Sequence, residues 1–395
     1  MGNSFPMPWK KTDPMNERLR FVLTVRERES TFGSLCAAFG VAPKTGYKWL
    51  HLFDEHGASG LQDRPRRPHG NSRAISAEVG ARLVALREKH ATWGPKKLIA
   101  WLEAHEGVGA WPAPSTVGEL LKRHGMVRPR KRRRYQRPRS EPLRHAEKPN
   151  DVWAMDFKGW FLLGDGARCD PLTVTDAFSR YLICCKTGTF FGDEVGRDVW
   201  IALVRAFREY GMPAAIRVDN SQPWVAPKGM LGITQLAVKI LKADIVLERI
   251  DPGKPQQNGR HERFHLTLKQ ETAQPPSQDM NAQQLRFDAF QHEYNEERPH
   301  EALQQRPPGS VYVRSRREFP GRLRAPEYPH WYEVHTAGPW GNVRLRGTSY
   351  FYCSPLENER VGFVEVEEGC FEVYFCKLLL GRIHTAHPEL GLIAA

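Results

Sequence analysis

A chain of 395 residues exceeds one ordinary domain, and 40% hydrophobic residues supply enough apolar material for more than one core. No apolar run approaches the ~18 residues of a membrane span, and the opening MGNSFPMPWKK lacks an apolar stretch of signal-peptide length, so a cytoplasmic chain is expected. The net charge of +13 is unevenly spread: residues 1–150 hold 29 Lys/Arg against 14 Asp/Glu, and the remainder 29 against 31. That asymmetry points to a polyanion gripped by the N-terminal part, nucleic acid ahead of an anionic membrane. Seven cysteines without a CxxC pair argue for free thiols rather than a disulfide framework or a thiolate zinc site.

In chain order, residues 15–56 predict a helical unit. Leu19, Val22 and Leu23 form one apolar face, and Phe32, Leu35, Cys36 and Phe39 a second; Gly40 breaks the pattern and Pro43 opens another helix carrying Tyr47, Leu50 and Asp54. Helix, short turn, helix is the helix-turn-helix pattern, and its second helix presents Lys44, Thr45 and Lys48 for phosphates and base edges. A Pro/Arg-rich linker leads to a second helical unit. There Ser76 caps a helix with Val79, Leu83 and Leu86 inward, a short helix carries Leu98, Ile99 and Leu102, and Ser115 caps a third with Val117, Leu120 and Leu121, ended by Gly125. Two such modules in tandem lengthen the site read. Residues 128–150 hold ten basic residues, two acids and four prolines. This is expected to be an extended linker whose Arg130, Lys131, Arg132, Arg133 and Arg134 track phosphates.

Beyond Asn150 the pattern becomes mixed α/β. WAMDFKGWF, CDPLTVTDAF and RYLICCKTGTF predict three antiparallel strands, and Asp193–Tyr210 a helix. AAIRVDN and IVLERI are short strands, a helix begins near Pro255–Gln257, and a last one carries Leu285, Ala289, Phe290 and Tyr294. From about Trp331, short β-rich runs predict a small barrel or sandwich. The expected domains are 1–62 (helix-turn-helix), 63–74 (linker), 75–127 (second helical DNA-binding module), 128–149 (basic linker), 150–318 (α/β core) and 319–395 (β-rich, barrel-like).

Three acids carry the chemistry. Asp156 sits mid-strand between Met155 and Phe157, where a carboxylate is costly without a partner. Asp219 ends a strand, and Glu262 lies on a helix entered through PGKPQQNG. Carboxylates brought together from such positions repel and need cations, and hard oxygen ligands select Mg²⁺ or Mn²⁺. Two ions about 3.5–4 Å apart serve phosphodiester cleavage, one at the attacking oxygen and one at the leaving oxygen.

On WAMDFKG, VTDAFSRY, RVDN, PGKPQQNGRHERFHLTLKQE and YNEERPHEALQQRPPGSVY, the core resembles the DDE transposases and retroviral-type integrases, whose fold is RNase H-like. FGVAPKTGYKWL and TWGPKKL…PAPSTVGELLKRHGMV are similar to bacterial insertion-sequence transposases of that group. The resemblance implies Asp156, Asp219 and Glu262 as catalytic and metal-binding acids. It implies Lys269 as a DNA contact about 10 Å along the helix from the glutamate, with Gln257, Asn258 and Arg260 flanking. It departs from the family at Ser221, where a glycine commonly follows Asn220, and in the wider spacing from Asp219 to Glu262, with QPWVAPKGMLGITQL expected to hold the extra residues away from the metals. The family's zinc-binding N-terminal domain is not visible, and His261, a candidate general base or DNA contact beside Glu262, is expected to be only a helix-surface residue. The implied function is recognition of terminal inverted repeats of a mobile element, followed by two-metal cleavage and strand transfer on double-stranded DNA by an oligomer. The rival expectations are a transposase-derived DNA-binding protein without catalysis, marked by loss of one of the acids, and an RNA-cleaving nuclease, disfavoured by helix-turn-helix modules suited to the DNA major groove.

Overall fold

Alternation along the strand WAMDF sends Trp153, Met155 and Phe157 to one side of a sheet and Ala154 and Asp156 to the other. The rest of the core follows from that division. The computed structural model describes residues 13–63, 75–107, 109, 111–127, 143, 145–190, 194–226, 229, 231–251 and 255–394. The five arginines and lysines expected on DNA at 130–134 lie outside these. The chain divides into two compact units, Met1–Ala74 and Ile75–Ala395.

In the first unit, α1 (Pro14–Glu27), α2 (Phe32–Ala38) and α3 (Pro43–His56) close on Phe21, Val22, Leu35, Cys36 and Leu61. Asp13 and Thr31 cap α1 and α2 through their side chains, and Pro43 starts α3. Gly46 is the close-approach point: a Cβ there would meet Cys36 Sγ and Phe21 at 2.9 Å, so α3 packs as it does only because it has none. Leu23, expected on an apolar face, is exposed, as is Tyr47; Phe21 and Gly46 take the buried positions.

The second unit opens with α4 (Ala77–Lys89), α5 (Pro95–Glu106) and α6 (Pro114–Arg123) around Leu83, Trp93, Leu98, Leu102, Val117 and Leu121. Ser76 caps α4 as expected, but Ala113, not Ser115, precedes α6, because Pro114 occupies its first turn. This bundle docks on the core through polar contacts: His90 Nδ1 to Glu293 at 2.8 Å, Lys96 to Glu301 at 2.8 Å, Thr92 to Glu271, and Lys97 to the Pro299 carbonyl.

The core sheet has strands β1 (Val152–Phe157), β4 (Leu172–Asp176), β5 (Leu182–Lys186), β6 (Ala215–Val218) and β7 (Val246–Arg249) in the order β5-β4-β1-β6-β7. A small hairpin, β2 (Phe161–Leu162) and β3 (Arg168–Cys169), sits beside it. β5, β4 and β1 are antiparallel, while β6 is parallel to β1 and β7 to β6. One face packs on α7 (Val195–Tyr210) and α8 (Gln235–Lys242) through Trp153, Met155, Leu172, Val174, Ile216 and Val218. The other is covered by α9 (Gly259–Thr272) and α10 (Met280–His292). Edge strand β5 is not left open: Asn295 brackets Leu182 by accepting from its N–H at 2.8 Å and donating to its carbonyl at 3.0 Å, and Gln284 and Gln291 serve neighbouring backbone groups. Leu285 is exposed, and Gln283, Phe287 and Phe290 are the buried residues of α10.

After the core come β8 (Glu333–Thr336), β9 (Asn342–Leu345), β10 (Thr348–Phe351), β11 (Arg360–Glu367), β12 (Cys370–Phe375), β13 (Leu378–His384) and β14 (Ile393–Ala394). They form an open sheet, β14-β13-β12-β11-β8, and a separate β9–β10 hairpin. No strand pairing among the described residues closes a barrel, which corrects that part of the expectation; the edges β14 and β8 stay unjoined. The cluster beneath reaches Ala237 and Val238 of α8, so this helix packs on the core sheet with Leu236 and Ile240 and on the terminal sheet with the other two.

Candidate active site

The parallel register of β1 and β6 runs Val152↔Ala215, Trp153↔Ile216, Ala154↔Arg217. Continued two places past the paired residues, the same offset would set Asp219, just beyond the end of β6, beside Asp156. Both carboxylates therefore leave the sheet on the face opposite Met155 and Val218. That face belongs to α9, because Thr173, the cross-strand partner of Asp156, is hydrogen-bonded to His261 and His265 of that helix. Glu262 lies in the first turn of α9 and is exposed.

Electrostatics ties the three acids together. The Asp156 carboxyl is pushed up to about 7, first by burial and then by repulsion from Asp219 and, more weakly, Glu262; the Phe157 N–H and Lys158 act against this. A carboxyl so burdened by two neighbouring acids fits a divalent cation, and the donor set is all hard oxygen. Among the described residues no three His, Cys, Asp or Glu side chains gather as a cage for a single ion.

Ser221 stands where a glycine was the family expectation, and the turn accommodates it. Its N–H and hydroxyl donate to Asp219 Oδ1 at 3.0 and 2.7 Å, it is not among the residues with positive φ, and Asn220 donates to the Ile250 carbonyl at 2.6 Å. The hydroxyl thus holds the carboxylate through a local side-chain turn. Within the longer segment that follows, Trp224 is buried against Phe157, with ring centroids 5.3 Å apart, on the sheet face away from Asp156.

The flanking residues divide. Lys269 and Arg260 are exposed. Asn258 is buried, and Gln257 is engaged with Asp251, accepting from its N–H at 2.7 Å and donating to its carboxylate at 3.0 Å. Both stand at the entry to α9. Lys44, Thr45 and Lys48 are exposed on α3, Lys48 lying 4.6 Å from the Trp49 ring.

Sequence reasoning missed Lys158. It is half-buried, and its ammonium is held below its ordinary range by burial and by Lys269, while Asp156 opposes the shift. The two lysines and the acids thus share one neighbourhood. The only signal was position, two residues after Asp156 and so on the same face. His261, expected on the helix surface, is 1% exposed. Burial drives its imidazole down to about 3, and burial with His261 and Lys158 nearby drives His265 down to about 2, so both rings are neutral. Asp176, also buried, faces the other way; it accepts from Asn150 N–H, Ser179 N–H and the Ser179 hydroxyl at 2.6–2.7 Å and serves a turn.

Comparison with known proteins matches residues 243–308 to an integrase core domain, 17–69 to a helix-turn-helix domain and 45–121 to a homeodomain-like domain. The insertion element IS407 uncharacterized 31.7 kDa protein of Burkholderia multivorans is 29% identical over 240 residues, covering 60% of this chain and 82% of that protein. Among solved structures, a simian T-cell lymphotropic virus intasome chain is 16% identical, covering 75% of this chain and 97% of its own, with a TM-score of 0.36. The HTLV-2 integrase catalytic core in complex with magnesium is 13% identical over 43% of this chain and 100% of its own, with a TM-score of 0.31. The chain thus combines a segment matching an integrase core domain with segments matching helix-turn-helix and homeodomain-like domains, and it is similar to an insertion-element protein.

Proposed function

We propose that the chain is a DDE-type transposase that binds the terminal inverted repeats of a mobile element and cuts and joins DNA at Asp156, Asp219 and Glu262. The observation that supports this reading is the repulsion Asp156 feels from both Asp219 and Glu262, together with a β1–β6 offset that, continued two places, would set Asp219 beside Asp156. Asp156 and Asp219 would hold one divalent ion, Asp156 and Glu262 a second. Magnesium or manganese, when bound, activates the attacking oxygen and offsets charge on the leaving one.

The chain's own residues supply the rest. Lys44, Thr45 and Lys48 of α3 meet the element end, joined in grip by the basic run at 130–134. Lys158, Lys269 and Arg260 neutralise phosphates beside the scissile bond. Water attacks a phosphodiester and the 3′ oxygen leaves as a hydroxyl; that 3′-OH then attacks a target phosphodiester in line, displacing the target's own 3′ oxygen. Both element ends must be joined to one target, so a homo-oligomer on double-stranded DNA is part of the proposal. The domains act in the order given from the sequence, with 1–62 and 75–127 reading DNA and 150–318 performing chemistry.

The test is strand transfer with Mn²⁺ on a duplex carrying the element's terminal repeats. Wild type yields joined products, and Asp156→Asn loses at least about 10³-fold, the several kcal/mol that a metal site contributes. Equal activity in the two proteins rejects the site.

A further inference from the structure

We propose that Thr173, gripped by His261 and His265, is a positioning residue that sets the distance between Glu262 and Asp156 and thereby the divalent-cation affinity of the site; this rests on the catalytic reading above. Glu262 is exposed and only three residues from the start of α9, where a helix end is prone to fray. Something else must hold it against the sheet.

The hydrogen-bond inventory supplies the holder. Thr173 Oγ1 lies 3.0 Å from the Asp156 carbonyl oxygen, 2.8 Å from His261 Nε2 and 2.7 Å from His265 Nε2. A hydroxyl has one hydrogen and two lone-pair directions. A carbonyl only accepts, so the Thr173 hydrogen goes to Asp156, and both imidazoles must donate through Nε2–H. In neutral His261 the other nitrogen, Nδ1, is then an acceptor, and the Thr175 hydroxyl stands 2.9 Å from it to donate. Donors and acceptors match in only one arrangement. All four side chains are buried, so an unmatched group would carry a full desolvation penalty.

The consequence is mechanical. Residues one before and three after Glu262 are both tied to the strand position directly opposite Asp156, and the same hydroxyl is tied to the Asp156 backbone. A shift of the helix against the strands breaks both imidazole bonds at that oxygen and the Thr175 bond to His261. Partners of this outer kind commonly alter metal affinity 10–100-fold when removed.

The test titrates Mn²⁺ into the full chain and follows free Mn²⁺ by electron paramagnetic resonance, for wild type, Thr173→Val, Thr173→Ser and Asp156→Asn. We expect Thr173→Val to weaken binding about tenfold or more, and Thr173→Ser, which keeps the hydroxyl, to stay within about threefold of wild type. Thr173→Val binding like wild type while Asp156→Asn loses the ion overturns the positioning role and leaves the site intact, as does equal damage from Val and Ser. Unchanged binding in Asp156→Asn overturns the underlying reading instead. If Thr173→Val does not fold, histidine-selective ¹⁵N NMR of the unaltered chain decides. Two imidazoles with the proton on Nε2, lost in His261→Gln and His265→Gln respectively, support the clamp; rings with the proton on Nδ1 overturn it.

Discussion

The two faces of the core sheet are built from different physics. Toward α7 and α8, Trp153, Met155, Leu172, Val174, Ile216 and Val218 form a continuous apolar layer that serves stability alone. Toward α9, the positions that alternate with these are Asp156, Asp219, Thr173 and Thr175, and the helix answers with His261 and His265. Area burial tolerates small shifts, whereas a hydrogen-bond lattice fixes one arrangement. The lesson is a division of labour across one sheet thickness. One side supplies the free energy that allows the other to hold a repelled carboxylate whose proton is retained up to about pH 7.

Substitutions should separate the faces. The largest contrast pairs Asp156→Asn with Trp153→Ala. The first should abolish strand transfer, by about 10³-fold or more, yet leave the metal-free fold no less stable, because a neutral isostere removes a charge that folding disfavours. The second should cost about 3–5 kcal/mol in urea unfolding, with Mn²⁺ affinity little changed in whatever fraction stays folded. Should Asp156→Asn unfold the chain, or Trp153→Ala abolish metal binding in folded protein, the division is wrong.

A smaller effect sharpens the docking of the helical bundle on the core. Burial, then repulsion from Arg298, brings Lys97 down from 10.5 to about 7. Between those values the unfolded chain binds more protons at this site than the folded one, so stability should rise with pH from about 7 toward 10.5, with a slope of at most about 1.4 kcal/mol per pH unit. Lys97→Met should flatten that slope in denaturant titrations between pH 7 and 10. A slope that is unchanged in the variant would show that the lysine is not held neutral there. The smallest effect lies in the first unit: Lys48→Ala should reduce the salt dependence of DNA binding by about one counterion, measured by anisotropy across ionic strengths, and an unchanged slope would remove it from the interface.

Much of the core could be read from local pattern. Asp156 stood out because a carboxylate between Met155 and Phe157 contradicts its surroundings, and Pro43, Gly40 and Ser76 punctuate helices by local chemistry. What was missed depends on long-range contacts. His261 meets Thr173 across 88 positions and Asn295 meets Leu182 across 113, and no periodicity reports such pairs. Tyr47 and Leu285 have helical spacing yet face outward, because Gly46 and Phe287 occupy the contact sides. Helix α8 went unread because it is only eight residues long, too short for its period to stand out, although Gln235, Lys239 and Lys242 line one polar side. Barrel closure is a property of strand pairing across the whole terminal region, beyond what short β-rich runs can specify.

The central claim is that Asp156 is shared between two divalent ions, and a crystal structure of the Mn²⁺-soaked chain with bound DNA, recorded at the manganese edge, tests it most directly. The account predicts two anomalous peaks about 3.5–4 Å apart, both in contact with Asp156, one reaching Asp219 and the other Glu262. Well-ordered acids with no peak between them, or peaks held by other residues, would contradict it.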